Sequence, residues 1–168
     1  MAAGSIAADA VSRNSCSCAA EGQTGDMIGC WLVAAQFVTW LVLVIPGQFA
    51  GPPAAAMGMM AAGGVGFLWC LTANRPGNFN VAPHVKGGAR LVTTGPYRFV
   101  RHPIYACALG FFAGFVVWWP GWLKLGAWVA LALIVVAKAR LEEAALRARF
   151  PEYEAYRRGR RFLIPGLW

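Results

Sequence analysis

The first half of this chain has almost no charged residues. No Asp, Glu, Lys or Arg lies between Asp26 and Arg75, a run of 48 residues in a chain of 168. Two membrane spans of roughly 20 residues each need such a run, whereas the core of a soluble domain does not. With 58% hydrophobic and only 13% charged residues, the chain is too apolar for an ordinary soluble domain. The composition therefore predicts an integral, multi-pass membrane protein.

The chain also lacks the cysteine spacings of a zinc site or a disulfide framework. Its five cysteines are an odd number, and three of them lie in apolar runs, where they act as small hydrophobic residues. They are Cys16, Cys18, Cys30, Cys70 and Cys107. We predict no metal site from this pattern.

Negative charge is scarce, and positive charge is concentrated in the second half. Residues 1–73 hold one Arg and three acids, whereas residues 74–168 hold fourteen Lys or Arg and four Glu. A basic half of this kind faces an anionic partner such as a lipid surface, an anionic cofactor, an acidic substrate or nucleic acid. Nucleic acid ranks last, because the basic residues flank hydrophobic spans and no nucleic-acid-binding module is recognisable.

Four apolar segments predict an all-α membrane bundle of about four transmembrane helices. They run roughly over residues 28–45, 54–73, 103–119 and 122–137. The third is marginal, since about 17 residues barely cross a ~30 Å hydrocarbon core. The fourth should continue into water as a helix through Arg149, with a Glu143–Arg147 pair at i,i+4, before the tail turns at Pro151.

Small residues predict how the second and third spans pack. They recur every four residues at Gly58, Ala62 and Gly66 in one span and at Ala106, Gly110 and Gly114 in the other. Such faces allow two membrane helices to approach closely. We expect the two faces to contact each other.

The distribution of basic residues predicts the topology. Five lie in residues 74–102 and eight in the segment from Lys138, whereas the turns that follow the first and third spans contain only Lys124. The positive-inside rule places both basic segments, and with four spans both termini, in the cytoplasm. We predict three regions: a disordered tail at 1–26, a two-helix transmembrane hairpin at 27–73 and a third region at 74–168.

Residues around the third span form a specific motif. A Gly95-Pro96-Tyr97 turn leads to Arg101-His102-Pro103-Ile104-Tyr105, and Glu142-Glu143 follow about 40 residues later. Beyond them come Phe150, two tyrosines three residues apart, several arginines and a Pro-containing end. Over residues 74–168 this order resembles the isoprenylcysteine carboxyl methyltransferase family and its phospholipid N-methyltransferase relatives.

The resemblance implies that residues 74–168 catalyse methyl transfer from S-adenosyl-L-methionine to a lipidic or membrane-embedded acceptor at the cytoplasmic face. An isoprenylcysteine-type carboxylate is one candidate acceptor. Ionised glutamates can accept hydrogen bonds from the cofactor, and an arginine can hold a carboxylate as a fork. The implied cofactor-binding residues are Tyr97, Arg98, His102, Pro103, Tyr105, Glu142, Glu143, Tyr153 and Tyr156. The implied catalytic residues are Arg101, Arg158 and Arg160. The expected partners are a lipidic small molecule and membrane lipids, and the oligomeric state stays open.

One position departs from the family pattern. The carboxyl methyltransferases have an arginine three residues after the second tyrosine, where this chain has Gly159. Arg158 or Arg160 could substitute for it. If neither does, an amine, a thiol or another lipid head group becomes the more plausible acceptor.

Two other interpretations of the chain stay open. Membrane sterol reductases share a similar Arg-His-Pro-x-Tyr sequence but use NADPH, and a non-catalytic membrane protein could keep the same helices for packing. In the second case, Arg101 and His102 would only anchor a span at the lipid head groups. Glu142 and Glu143 would then be surface charges that pair with Lys138 and Arg147.

Overall fold

The computed structural model describes residues 27–47, 51–74 and 90–163. Over these ranges the chain forms five α-helices and one short 3₁₀-helix, so the predicted all-α membrane bundle is confirmed. The helices are α1 Met27–Val44, α2 Ala54–Ala73, α3 Pro103–Trp118, α4 Trp122–Arg149 and α5 Tyr153–Arg158, and the 3₁₀-helix is Gly95–Arg98. The tail predicted at 1–26 and the Pro-containing end lie outside the described residues.

Three of the helices, α1, α2 and α4, are long and apolar enough to cross a membrane. Helix α3 is also apolar but has only 16 residues, which gives a length of about 24 Å at 1.5 Å per residue. Large apolar side chains such as Trp31, Leu68 and Leu133 are exposed along these helices. Lipid is the environment that accepts such surfaces, and the chain is an integral membrane protein.

The second and third helices pack together as predicted, but only part of the predicted face is correct. A Cβ added to Gly63 would lie 2.6 Å from the backbone nitrogen of Phe111, and one added to Gly114 would lie 2.9 Å from the carbonyl oxygen of Ala56. An added Cβ on Gly66 would also meet the sulfur of Cys107. Gly58 and Gly110, in contrast, face open space. The four-residue repeat therefore predicts the contact face only in part, because Gly66 and Gly114 lie in the contact whereas Gly58 and Gly110 do not.

A lysine on α4 holds the carboxyl end of α1. The Lys124 ammonium donates to the carbonyl oxygens of Val42, Leu43 and Ile45 at 2.6, 2.8 and 2.6 Å. The last carbonyls of a helix have no partner within it, and an ammonium has three donors to offer them. Closer to the middle of α1, Trp40 stacks on Phe112 of α3, with 5.3 Å between the ring centroids.

The chain returns to the start of α3 after α4. As predicted, α4 continues as a helix to Arg149, and the chain turns at Pro151 before α5. The segment after α5 then lies parallel to residues 100–102. The backbone nitrogens of Arg101 and His102 donate to the carbonyls of Arg161 and Phe162 at 2.9 and 3.2 Å. The pairing brings the Arg101-His102 part of the motif together with the segment after α5, and both lie beside Glu143.

Candidate active site

His102 connects the two halves of the motif. Its ring is buried, with Nε2 3.3 Å from an oxygen of Glu143 and Nδ1 3.7 Å from an oxygen of Glu142. Pro103 opens α3 directly after it, so the histidine side chain leaves the backbone where the helix begins. The ring also stacks on Tyr105 and meets the edge of Phe162, with centroid distances of 5.7 and 5.2 Å.

Arg101 bonds to protein acceptors. Its Nε donates to Glu143 at 2.7 Å, and its Nη1 donates to the backbone carbonyls of Arg157 and Arg160 at 3.2 and 2.9 Å. The sequence suggested that the Arg101 guanidinium holds a ligand carboxylate. In the structure this group donates instead to Glu143 and to backbone carbonyls around α5. In this structure Arg101 holds the C-terminal segment against the start of α3.

The two adjacent glutamates have different environments. Glu143 is buried and lies within 4 Å of Arg101, His102, Arg147 and Arg157. Its contact with Arg147, at 3.3 Å, confirms the predicted i,i+4 pair. The Glu142 side chain is 37% exposed, and its carboxylate accepts a hydrogen bond from the Tyr105 hydroxyl at 3.3 Å. Of the two, Glu142 has the more exposed carboxylate.

Three tyrosines of the motif lie around the returning segment. Tyr156 donates its hydroxyl to the carbonyl of Tyr97 at 2.8 Å, and Tyr153 packs beside Tyr156 with 5.8 Å between the rings. Burial raises the pKa of Tyr156 to about 12, and it raises the pKa values of Tyr97 and Tyr153 well above their usual range. These phenols stay neutral at physiological pH. They can offer hydrogen bonds and ring faces but not a charged base.

The other three arginines of the predicted site differ in exposure, and Arg160 is half-buried. Arg98 is exposed, with its guanidinium 4.6 Å above the ring of Phe99. Arg158 is exposed, and the Arg160 guanidinium stands 4.9 Å from the ring centre of Tyr156. Arg158 and Arg160 line a cavity together with Arg101, whereas Gly159 between them faces open space. Within residues 27–47, 51–74 and 90–163, no hydrogen bond or ion pair joins Arg98 or Arg158 to His102 or to the glutamates.

Lys138 differs from the interpretation that places it on the surface. It is buried, its ammonium donates to the side-chain oxygen of Gln36 at 2.6 Å, and it lies 5.8 Å from the ring centre of Tyr105. The reason is helical periodicity, since Leu131, Val135 and Lys138 share the buried face of α4. Sequence reasoning missed Gln36, although an amide inside an apolar span is itself a signal of an interhelical hydrogen bond.

Two proteins of named function are similar to the chain. It is 32% identical over 163 residues to the cobalt-zinc-cadmium resistance protein CzcN of Cupriavidus metallidurans. The aligned region covers 86% of this chain and 66% of the relative. It is also 35% identical over 107 residues to the nickel-cobalt-cadmium resistance protein NccN of Alcaligenes xylosoxydans xylosoxydans. That aligned region covers 61% of this chain and 45% of the relative. The chain thus spans less than two thirds of either relative's length. No solved structure matches it.

The sequence profile of the phospholipid methyltransferase family matches residues 53–152. This range contains α2, α3 and α4, with the histidine and both glutamates described above. The match agrees with the resemblance carried by the Arg-His-Pro motif and the two glutamates. The chain belongs to the phospholipid methyltransferase family.

Proposed function

We propose that the chain transfers a methyl group from S-adenosylmethionine to a lipidic or membrane-embedded acceptor. The observation that carries the proposal is the meeting of both glutamates with His102, although about 40 residues separate them in sequence. A surface pair of acids and a simple membrane anchor have no need of this contact. Membership of a methyltransferase family supports the same reaction class.

The side chains beside His102 suit the groups of this cofactor. The accessible Glu142 carboxylate can accept hydrogen bonds from an ammonium or from ribose hydroxyls, and the exposed Arg98 can pair with a carboxylate. The rings of Tyr97 and Tyr105 can flank the adenine or the sulfonium. When bound, the cofactor would supply a methyl group activated by a positively charged sulfur.

The protein's own contribution is alignment and the exclusion of water. Methyl transfer joins two reactants in line, so holding them in a fixed geometry removes much of the barrier. Arg101, His102 and Glu143 hold the C-terminal segment against the start of α3, and we infer that this contact forms one wall of the site. A carboxylate acceptor needs no base, which is consistent with the neutral tyrosines. From the distribution of basic residues we place this site on the cytoplasmic side.

Cofactor binding in detergent tests the proposal. S-adenosylhomocysteine should bind the purified protein, and Glu142→Gln should weaken that binding by about 1–3 kcal/mol, because one charged acceptor is lost. Glu152→Gln, an exposed glutamate on the same C-terminal side, is the matched control. Labelled S-adenosylmethionine should also transfer its methyl group into a lipid extract. Binding of NADPH in place of S-adenosylhomocysteine would favour the reductase, and binding of neither would favour a non-catalytic role.

The names of the two relatives suggest the setting of this reaction. Both refer to resistance against transition metals and cadmium. We propose that the chain supports such resistance by methylating a membrane component. A cadmium-sensitive bacterium that expresses the wild type should grow at higher cadmium concentrations than one that expresses Glu142→Gln. Equal growth of the two strains would contradict the proposal that methyl transfer supports cadmium resistance.

A further inference from the structure

A strongly basic cavity lies beside the start of α3. It has a volume of about 650 Å³ and is lined by seven arginines, one glutamate and Phe162. The arginines come from α3's start, from α4 and from the segment at α5 and beyond. Such a concentration of one charge is costly unless an anion offsets it.

The carboxylates of the described residues neutralise only part of this charge. Glu143 and Glu154 pair with Arg101, Arg147 and Arg157. Among the ion pairs of the described ranges, none includes the other four cavity arginines, which are Arg140, Arg158, Arg160 and Arg161. In addition, the Nε atoms of Arg157 and Arg160 are buried and have no hydrogen-bond partner in the described part of the chain. A buried N–H group without an acceptor can take one from a water, an ion or a ligand, so these two donors are available to an anion in the cavity.

The proposed cofactor cannot supply the missing negative charge. S-adenosylmethionine has one carboxylate against a sulfonium and an ammonium, so it brings net positive charge. A phosphate group brings one or two negative charges and several acceptor oxygens, which match the planar fork of arginine. The cavity chemistry therefore favours a phosphate-bearing ligand.

The position of the cavity favours a lipid as the source of that phosphate. Arg140 follows an uncharged run on α4 that extends from Leu125 to Ala137, so it lies where the helix leaves the apolar layer. On the same helix, Leu133 and Leu141 are exposed and can contact an acyl chain. We propose that the arginine cavity binds the phosphate of an anionic phospholipid head group. The proposal goes beyond methyl transfer, since it requires neither the cofactor nor a reaction.

Equilibrium binding to the full-length protein in a neutral detergent tests this assignment. The probes are short-chain phosphatidic acid, short-chain phosphatidylcholine and inorganic phosphate. Wild type should bind phosphatidic acid more tightly than phosphatidylcholine. Arg140→Gln combined with Arg161→Gln should weaken phosphatidic acid binding about tenfold, the loss expected for charge-assisted bonds in a partly exposed site. Arg90→Gln combined with Arg149→Gln removes the same charge outside the cavity and should leave the affinity unchanged.

A salt titration on the wild type keeps the test valid if the cavity variant does not fold. Binding to exposed arginines should weaken as salt rises, because mobile ions screen the charges. Equal affinity for both lipids, the same affinity in wild type and cavity variant, or binding that salt leaves unchanged would overturn the proposal. If inorganic phosphate binds as tightly as phosphatidic acid, the claim that the bound phosphate belongs to a lipid would be wrong. None of these measurements depends on methyl transfer.

Discussion

Replacing Glu143 by glutamine should release the C-terminal segment from the start of α3. The carboxylate is the shared partner of Arg101 on one side and of Arg147 and Arg157 on the other. Glutamine keeps the shape and one acceptor oxygen but loses the charge. Arg101 would then lack its counter-ion, while Arg147 and Arg157 would keep Glu154. The segment would be held by its backbone pairing with Arg101 and His102 and by the remaining hydrogen bonds of Arg101 and Tyr156.

The contact with Arg101 dominates the expected cost. Both side chains are largely buried, 13% and 7% exposed, and removing one partner of a buried ion pair typically costs about 3–5 kcal/mol. The Arg147 and Arg157 side chains are 45% and 38% exposed, so each of these pairs adds only about 0–1 kcal/mol. Because glutamine retains one hydrogen bond, we expect a loss of about 3 kcal/mol in the docking of the segment, or roughly a hundredfold in its opening equilibrium.

Hydrogen exchange at the backbone amides of Arg101 and His102 measures this opening, because both amides donate to the returning segment. In Glu143→Gln they should exchange roughly a hundredfold faster than in the wild type, whereas amides in the middle of α2 should be unaffected. Glu142→Gln is the matched control, because the more exposed Glu142 carboxylate contacts Tyr105 and His102. In the part of the chain that the structure describes, it forms no ion pair with an arginine. Equal acceleration in the two variants would refute the distinction drawn between the glutamates.

Two further predictions concern the helices that support the site. Gly63→Ala should destabilise the protein by about 1–3 kcal/mol in thermal unfolding, because its Cβ would meet the backbone of α3, whereas Gly58→Ala, which faces open space, should not destabilise it. Lys124→Met should lower the unfolding temperature, because three carbonyls at the carboxyl end of α1 and just beyond it lose a charged donor, at about 1.5–3 kcal/mol for such bonds. Leu123→Met, at an exposed neighbouring position, is its control, and an equal effect of both changes would contradict the capping role.

The helices could be predicted from the sequence, because local patterns encode them. Uncharged apolar runs give α1, α2 and α4, and Pro103 marks where α3 begins. The motif also assigns His102 and both glutamates to one candidate site, and the structure brings them within 4 Å of each other. These features depend on residues close in sequence or on an order shared with the family.

The partners of each side chain could not be predicted, because they depend on contacts between distant segments. Arg101 meets carbonyls that lie 56 and 59 residues away, once the chain has turned back after α5. Lys138 meets Gln36 across 102 residues, so no periodicity within α4 reveals that the lysine has a buried acceptor. The small-residue repeat is wrong in part for a related reason: Gly63 and Gly58 are equivalent by residue type, and only the position of α3 distinguishes them.

The helical geometry explains why two adjacent glutamates can perform two tasks. Consecutive residues on an α-helix point about 100° apart, so when one side chain faces the interior, its neighbour faces a different direction. Glu143 turns toward Arg101 and stays buried, and this leaves Glu142 toward Tyr105 with its carboxylate partly open. His102 contacts both carboxylates, and its ring also meets Phe162 of the C-terminal segment, so a ligand that binds Glu142 would be linked to that segment through His102. On this basis, cofactor binding and docking of the C-terminal segment should strengthen each other.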